Sequence, residues 1–267
     1  MENRLPISVM IVGYNEAHFL RPCLDSVSFC NEIIYTDLGS TDDSIEIARR
    51  YTENVYIKDK KNVPSCEIVQ AEVIHITKND WVIFIDPDER VDEVLARQIA
   101  DEFNVIKKND KVGAVMVPWQ FYFKTKKLRG TVWGGVNKKY FLVNKYKFSF
   151  LPTVHYGRTL KQGFNVYEIN ENKQQTNLLH HYWMNSYKVF IKKHFRYLKN
   201  EGIDNYNLGV RVAAKKIILV PFKEFYFSFI DKKGYKDLFI GFFLSLFWAF
   251  YKTYIAVDIF MIQQKKR

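Results

Sequence analysis

The 267-residue chain has 40 Lys/Arg against 29 Asp/Glu, a formal charge of +11, and is 48% hydrophobic and 16% aromatic. Such a composition excludes a disordered chain, and the length suffices for one large α/β domain with an appendage. Cys23, Cys30 and Cys66 show no CxxC or Cys/His spacing, which excludes a disulfide framework and structural zinc and points to a reducing compartment.

The first hundred residues alternate short apolar runs with helix-like stretches. Ile7–Val12 reads as a buried strand ended by Gly13-Tyr14-Asn15, and the pattern of 16–28 as a helix. The apolar N-terminus is too short, and too soon broken by Gly13, for a signal peptide, so a cytosolic chain is expected. Glu32–Asp37 is a second strand, Asp42–Tyr51 a capped helix, and Asn54–Ile57 a third strand. A helix over 63–77, opened by Pro64 and Ser65, leads to a fourth strand, Trp81–Ile85, closed by Asp86-Pro87-Asp88. Strands separated by helices predict βαβ units and a mostly parallel sheet, with ligands at the carboxyl ends of its strands.

From Val112 the pattern changes. AVMVPWQFYF and KKYFLVN read as longer, more antiparallel strands facing an acceptor, and 185–200 as a basic amphipathic helix. Two further helical stretches, 210–223 and 238–262, complete the tail. The division expected is a catalytic domain over 1–184 and a helical tail over 185–267. Within the first of these, 1–110 and 111–184 form two halves.

Two carboxylates one residue apart at the end of a buried strand, Asp86 and Asp88, can both face the cleft above the sheet. Hard oxygen ligands there suit Mg²⁺ or Mn²⁺, which leaves positions open for phosphate oxygens. The competing reading is an acidic turn in which Asp88 or Glu89 favours the N-terminus of the next helix. Tyr14-Asn15-Glu16 and the turn Asp37 to Ser44, with Ser40 among its capping residues, stand after the first two strands. Either loop alone reads as ordinary turn chemistry; three on one side of the sheet read as a site. Asp37, at a strand end, is placed to accept hydrogen bonds from a base or ribose.

The series VGYNE, TDLGSTDDS and WVIFIDPDER resembles the inverting family-2 glycosyltransferases of the GT-A fold. A looser similarity runs through GTVWGG, PTVHYG and LLHHYW toward the bacterial branch that builds lipopolysaccharide core and related surface glycans. The resemblance implies an α/β GT-A domain, with 1–110 as its nucleotide-sugar half and 111–184 as its acceptor half. Pro6, Val12, Tyr14, Glu16, Asp37 and Ser40 would lie near a nucleotide-sugar donor, a UDP-sugar, with Asp86 and Asp88 at the diphosphate and metal. Asp88, Glu89 and His155 are the expected catalytic residues. The acceptor implied is a glycan or a lipid-linked sugar, for surface polysaccharide or lipopolysaccharide synthesis.

Two departures bear on chemistry. The related branch carries Val-His-Glu where this chain has Val154-His155-Tyr156, so the carboxylate base is missing. The arginine often found before the paired carboxylates is replaced by Glu67 and Gln70. His155, a residue type suited by its intrinsic chemistry to proton transfer near neutral pH, ranks first as base and could instead complete the metal shell; Glu168 and Glu171 are the remaining carboxylates. A polyprenyl-phosphate acceptor, already anionic, would lessen the need for a base. That makes a polyprenyl-phosphate glycosyltransferase the alternative, with a catalytically degenerate nucleotide-sugar-binding membrane protein behind it. A nucleotidyltransferase would need a Gly-rich, basic phosphate loop where the chain reads GYNEAHFLR. His180 and His181 are equally suited to packing in the aromatic cluster and to reaching substrate.

The charge is concentrated in the tail: 181–267 holds 16 Lys/Arg and 6 Asp/Glu, a net +10 (16 − 6). Mixed with Phe, Trp and Leu, it favours an anionic membrane surface and no nucleic acid. Leu238–Tyr251 is apolar for 14 residues before Lys252, short of the roughly 20 needed to span. The expectation is a helix lying in the interface at the cytoplasmic face of the cell membrane, with a spanning helix and packing on the catalytic domain as alternatives.

Overall fold

The computed structural model describes residues 4–59, 66–150 and 158–265. The chain divides into two compact units: Met1–Trp119 with Asn137–His181, and Gln120–Val136 with Tyr182–Arg267.

The strands are β1 Leu5–Gly13, β2 Cys30–Asp37, β3 Val55–Ile57, β4 Trp81–Phe84, β5 Glu89–Val91, β6 Val112–Phe123, β7 Lys126–Lys127, β8 Val136–Asn144, β9 Phe148–Phe150, β10 Arg158–Leu160, β11 Asn165–Glu168 and β12 Leu179–Met184. The α-helices are α1 Ala17–Ser26, α2 Ser44–Arg49, α3 Cys66–Val73, α4 Glu93–Lys108, α5 Tyr187–Asn207, α6 Ala214–Ile217, α7 Val220–Tyr226 and α8 Leu238–Lys265.

The main sheet has the order β3-β2-β1-β4-β8-β6-β12-β5, with β11 on β6. β1, β2, β3 and β4 are mutually parallel, as βαβ units require. β8 joins β4 antiparallel, and β12 pairs antiparallel with β5 at the edge. Alternation along β1 sends Ile7, Val9 and Ile11 into one core and Met10 and Val12 into the other, so helices cover both faces. The buried positions Leu95, Ile99, Phe103 and Ile106 recur at helical spacing along α4, and the Asp92 side chain caps it by accepting from the Val94 N–H at 3.2 Å.

Three sequence expectations change here. Glu89 does not begin a helix: Glu89–Val91 is a strand, because β12 offers it a ladder, and the helix starts only at Glu93, after its cap Asp92. The helix expected over 63–77 is α3 followed by a 3₁₀ turn, Ile74–Ile76, while Pro64 and Ser65 lie outside the described residues. Pro6 is exposed near the amino end of β1. Seven residues of strand, about 23 Å at 3.3 Å per residue, separate it from Gly13 and the loops at the carboxyl ends.

In the second unit, α5 and α8 run side by side in the same direction, with Phe190 against Phe243 and Phe247, and His194 against Tyr251. α7 packs on α8 with Phe225 against Phe242 and the Trp248 indole N–H donating to Glu224. The GTVWGG stretch is structural here. The Arg129 and Gly130 N–H groups donate to the Asp237 carboxylate, and a Cβ at Gly130 would stand 2.0 Å from the Lys233 carbonyl oxygen. α8 is long and apolar enough to cross a membrane by length and composition.

Candidate active site

The loops after β1 and β2 are bound to each other. Asn15, at φ 55°, donates its N–H to Ser40 Oγ at 2.8 Å and accepts the Thr41 N–H at 2.8 Å. The Glu16 N–H donates to Ser44 Oγ at 3.0 Å, and the Ala17 N–H to Asp42 at 3.0 Å. Asp42 is exposed, and hydrogen bonds from the Ser44 hydroxyl and the Ala17 N–H outweigh its slight desolvation and hold its carboxyl below the ordinary value.

Asp37 is fully buried. Its oxygens accept the Gly39 N–H at 2.9 Å, the Ser40 N–H and hydroxyl at 2.6 Å each, and the Tyr35 hydroxyl at 3.0 Å. Such saturation makes Asp37 the keystone of its own turn, with no oxygen facing the cleft for a base or ribose. Val12 is buried in the core, Tyr14 is half-buried against it, and Glu16 sits at the start of α1.

The Asp86-Pro87-Asp88-Glu89 segment closes on itself: the Asp86 N–H donates to the Glu89 carboxylate at 2.9 Å, and the Glu89 N–H to the Asp86 carbonyl at 2.9 Å. Glu89 is 0% exposed and also accepts from the Trp119 indole at 2.7 Å and from Lys139 at 2.5 Å. Burial pushes the Glu89 carboxyl up against the opposing pull of Lys139. Burial works against the Lys139 ammonium, but Glu89 and Asp86 outweigh it and hold its pKa above the ordinary value. The three donors aimed at Glu89 favour its carboxylate form, as Glu89 and Asp86 favour the Lys139 ammonium.

This turn leaves Asp86 and Asp88 partly exposed beside His181. Oxygens of the two carboxylates and a nitrogen of His181 lie within 4.8 Å of one another. His181 Nε2 is 3.3 Å from Asp88 Oδ2, and its ring stacks on Trp119 at 5.1 Å and 9°. Burial disfavours the imidazolium, yet Asp88, with Glu89 and Asp86 behind it, raises the His181 pKa. Two hard oxygens with one imidazole fit Mn²⁺ or Mg²⁺ as a donor set. Strand alternation separates the paired histidines: His180 turns to the other face and meets Asp92 at 3.1 Å.

A cleft of about 290 Å³ opens beside Asp86. Lys139 and Arg158 bring positive charge to it, Glu67 and Trp119 also line it, and Phe84 and Phe148 form apolar walls. The Arg158 guanidinium lies 5.2 Å over the Phe84 ring. The basic charge absent from the helix at Glu67 and Gln70 thus comes from β8 and β10. His155 lies outside the described residues. Glu168 is exposed and ion-paired with Lys138, and Glu171 is exposed.

Sequence reasoning missed Lys139, Trp119 and Arg158, and left His181 open between packing and reaching substrate. For His181 a signal was present in the alternation of LLHHYW, which sends one of two adjacent histidines to the site face. Lys139, within KKYFLVN, has only its strand position to mark it.

A mixed, mostly parallel sheet with paired carboxylates after an inner strand defines the GT-A class of glycosyltransferase. The chain belongs to Glycosyl transferase family 2, which matches residues 8–160, more than half of its length. It is 25% identical over 256 residues to an uncharacterized glycosyltransferase of Rickettsia bellii, covering 91% of this chain and 82% of that one. Shorter matches join it to the SPbeta prophage-derived glycosyltransferase SunS of Bacillus subtilis and to the lipopolysaccharide core biosynthesis glycosyltransferase LpsC of Rhizobium meliloti. SunS is 35% identical over 83 residues, 31% of this chain and 20% of that one; LpsC is 29% identical over 94 residues, 34% and 35%. The chain therefore matches only a fifth of SunS and about a third of LpsC. Among solved structures, glucosyl-3-phosphoglycerate synthase from Mycobacterium tuberculosis, with Mg²⁺ and uridine diphosphate, aligns at 15% identity. That alignment covers 66% of this chain and 71% of that one, with a TM-score of 0.41.

Proposed function

We propose that this glycosyltransferase moves a sugar, with inversion, from a nucleotide-sugar donor to a glycan or lipid-linked acceptor during surface polysaccharide or lipopolysaccharide synthesis. The observation that carries the reading is the convergence of Asp86, Asp88 and His181 at the carboxyl end of β4. These three would hold Mg²⁺ or Mn²⁺, which when bound supplies positive charge to the diphosphate leaving group. Lys139 and Arg158 add cationic charge along the same cleft. The acceptor oxygen attacks the anomeric carbon, the carbon–oxygen bond to the diphosphate breaks, and the nucleoside diphosphate departs. The hydroxyl proton passes to a base, for which His155 is proposed from the sequence alone.

Glu89 acts in this reading as a positioning residue, since its side chain is buried and its oxygens are engaged by Asp86, Trp119 and Lys139. Asp37 likewise shapes the donor loop through Ser40, which bridges to Asn15. UDP is the nucleotide proposed. The name of LpsC supports the surface-glycan setting, and the apolar, basic C-terminal region supports a seat at the cytoplasmic face of the membrane. A polyprenyl-phosphate acceptor is the second reading, favoured by tyrosine at 156 in place of the expected glutamate.

The test is to incubate the purified protein with a panel of nucleotide sugars, with Mn²⁺ and with EDTA. Metal-dependent hydrolysis or binding of one donor is expected. Binding without turnover, even with lipid-linked and glycan acceptors supplied, would mark a degenerate binding protein instead.

A further inference from the structure

On α8, every exposed position from Leu238 to Met261 is apolar or tyrosine: Leu238, Phe239, Phe242, Leu246, Phe250, Tyr254, Val257 and Met261. From Phe239 onward these recur every three or four residues, so they form one continuous stripe along the helix. A second stripe runs through Ile218, which caps the end of α6, Phe222 and Tyr226 on α7, and Ile230 in the π-helical turn Phe227–Asp231 that follows. Leu238, Phe222, Ile218 and Phe239 are the most exposed large hydrophobic residues described, at 77, 73, 72 and 72%. Exposed lysines border the stripes at Lys215, Lys216, Lys223, Lys232, Lys233 and Lys236.

The opposite side of α8 is already occupied. Along it lies α5, from Tyr187 against Phe243 to Gly202, where a Cβ would meet the Asp258 carboxylate at 1.9 Å. The Tyr251 hydroxyl donates to Glu201, next to Gly202. α5 carries Lys188, Lys192, Lys193, Arg196, Lys199, Glu201 and Asp204. If α8 crossed a bilayer, this shared stretch, about 24 Å at 1.5 Å per residue, would draw those charges into the hydrocarbon.

We propose that the C-terminal unit lies flat on an anionic lipid surface through the two apolar stripes of α6–α7 and α8, and that α8 does not span. The inference rests on the membrane seat proposed above and specifies its surface and topology. Rings and aliphatic side chains enter the acyl boundary while the bordering lysines meet anionic headgroups, and α5 stays on the water side with its charges solvated. The lysine border selects lipid over a second copy of the chain, whose own lysines would be brought into opposition across a symmetric contact.

The experiment uses the full chain and sealed vesicles of phosphatidylcholine with phosphatidylglycerol. Lys236→Cys and Lys265→Cys are made singly in a Cys66→Ser background, since Cys23 and Cys30 are buried. A membrane-impermeant maleimide added outside is expected to label both positions equally. Phe222→Glu, Phe239→Glu and Phe250→Glu, all at exposed sites, should each weaken vesicle affinity roughly tenfold, with the circular dichroism spectrum unchanged. Labelling at Lys236→Cys with protection at Lys265→Cys would show a spanning helix and overturn the inference. Undiminished binding by all three glutamate variants would overturn the assigned surface. A full chain that ignores the vesicles defeats the broader membrane reading as well. Glutamate variants that break a lipid-independent dimer while leaving vesicle binding intact would assign the stripes to a second copy.

Discussion

His181 Nε2 lies 3.3 Å from Asp88 Oδ2, although they stand 93 positions (181 − 88) apart in the chain. Register makes the approach: β12 pairs antiparallel with β5 so that His181 stands opposite Glu89, next to the paired carboxylates. If the three side chains hold a divalent cation, His181→Ala should weaken Mn²⁺ binding by no less than the roughly 10–100-fold seen on losing an outer partner. Calorimetric titration with Mn²⁺ measures this, and an unchanged affinity would remove His181 from the ligand set.

Asp86→Ala and Asp88→Ala should each lower donor hydrolysis about a hundredfold or more while leaving the melting temperature near that of the parent. EDTA should abolish hydrolysis and added Mn²⁺ restore it. Full activity in excess chelator would end the metal-dependent reading.

Lys139 and Glu89 form a buried ionic pair, so removing one member strands the other. Lys139→Met should cost about 3–5 kcal/mol of stability, and Glu89→Gln with Lys139→Met together less than the sum of the single changes. Urea unfolding of the four proteins gives the coupling. Strict additivity would show that the two groups do not hold each other.

Asp37→Ala leaves the Gly39 and Ser40 N–H groups without their acceptor, at about 1–3 kcal/mol for each buried group left unmatched. The melting temperature should fall and the donor KM rise together, with Asp37→Asn milder in both. A raised KM at an unchanged melting temperature would instead indicate direct contact with the nucleotide.

His194 is buried among Trp133, Trp183, Phe247 and Tyr251, with Nδ1 hydrogen-bonded to the Phe190 carbonyl at 2.8 Å. Burial lowers its pKa below the ordinary 6.5, against the smaller opposing pull of that carbonyl. The unfolded chain therefore takes up the proton first. The stabilising contribution is whole above pH 6.5 and is lost as pH falls through the lower folded value. The stability gap between the parent and His194→Gln should narrow on acidification from pH 7 toward pH 5, as thermal melts would show. A gap that widens would mean the folded imidazolium is stabilised.

Much of the nucleotide half was legible because it is written in local signals. Apolar runs such as ISVMIV and WVIFI fix their strands, and Gly39, Ser40 and Asp42 announce the turns between them. What escaped depends on pairing across the chain. Glu89–Val91 is too short to show a period, and only its partner β12 makes it a strand. The saturation of Asp37 follows from where the Ser40 and Tyr35 hydroxyls fall, which spacing alone does not give. Pro6 matched the family pattern in sequence but stands near the wrong end of its strand. Lys139 and Arg158 supply charge that sequence comparison sought on α3, so the same electrostatic need is met from a different part of the sheet.

The β5–β12 ladder also bears on how the protein can be divided. The family match stops at residue 160, whereas the strand that delivers His181 begins at Leu179. An excised fragment ending at the family boundary would keep both carboxylates and lose the imidazole, the ladder partner of β5 and the ring stacked on Trp119. In a chain made from its amino end, the paired carboxylates are in place well before β12 leaves the ribosome. Completion of the proposed metal site is thus tied to late closure of the sheet edge, and a chain lacking β12 should bind Mn²⁺ more weakly than the full chain.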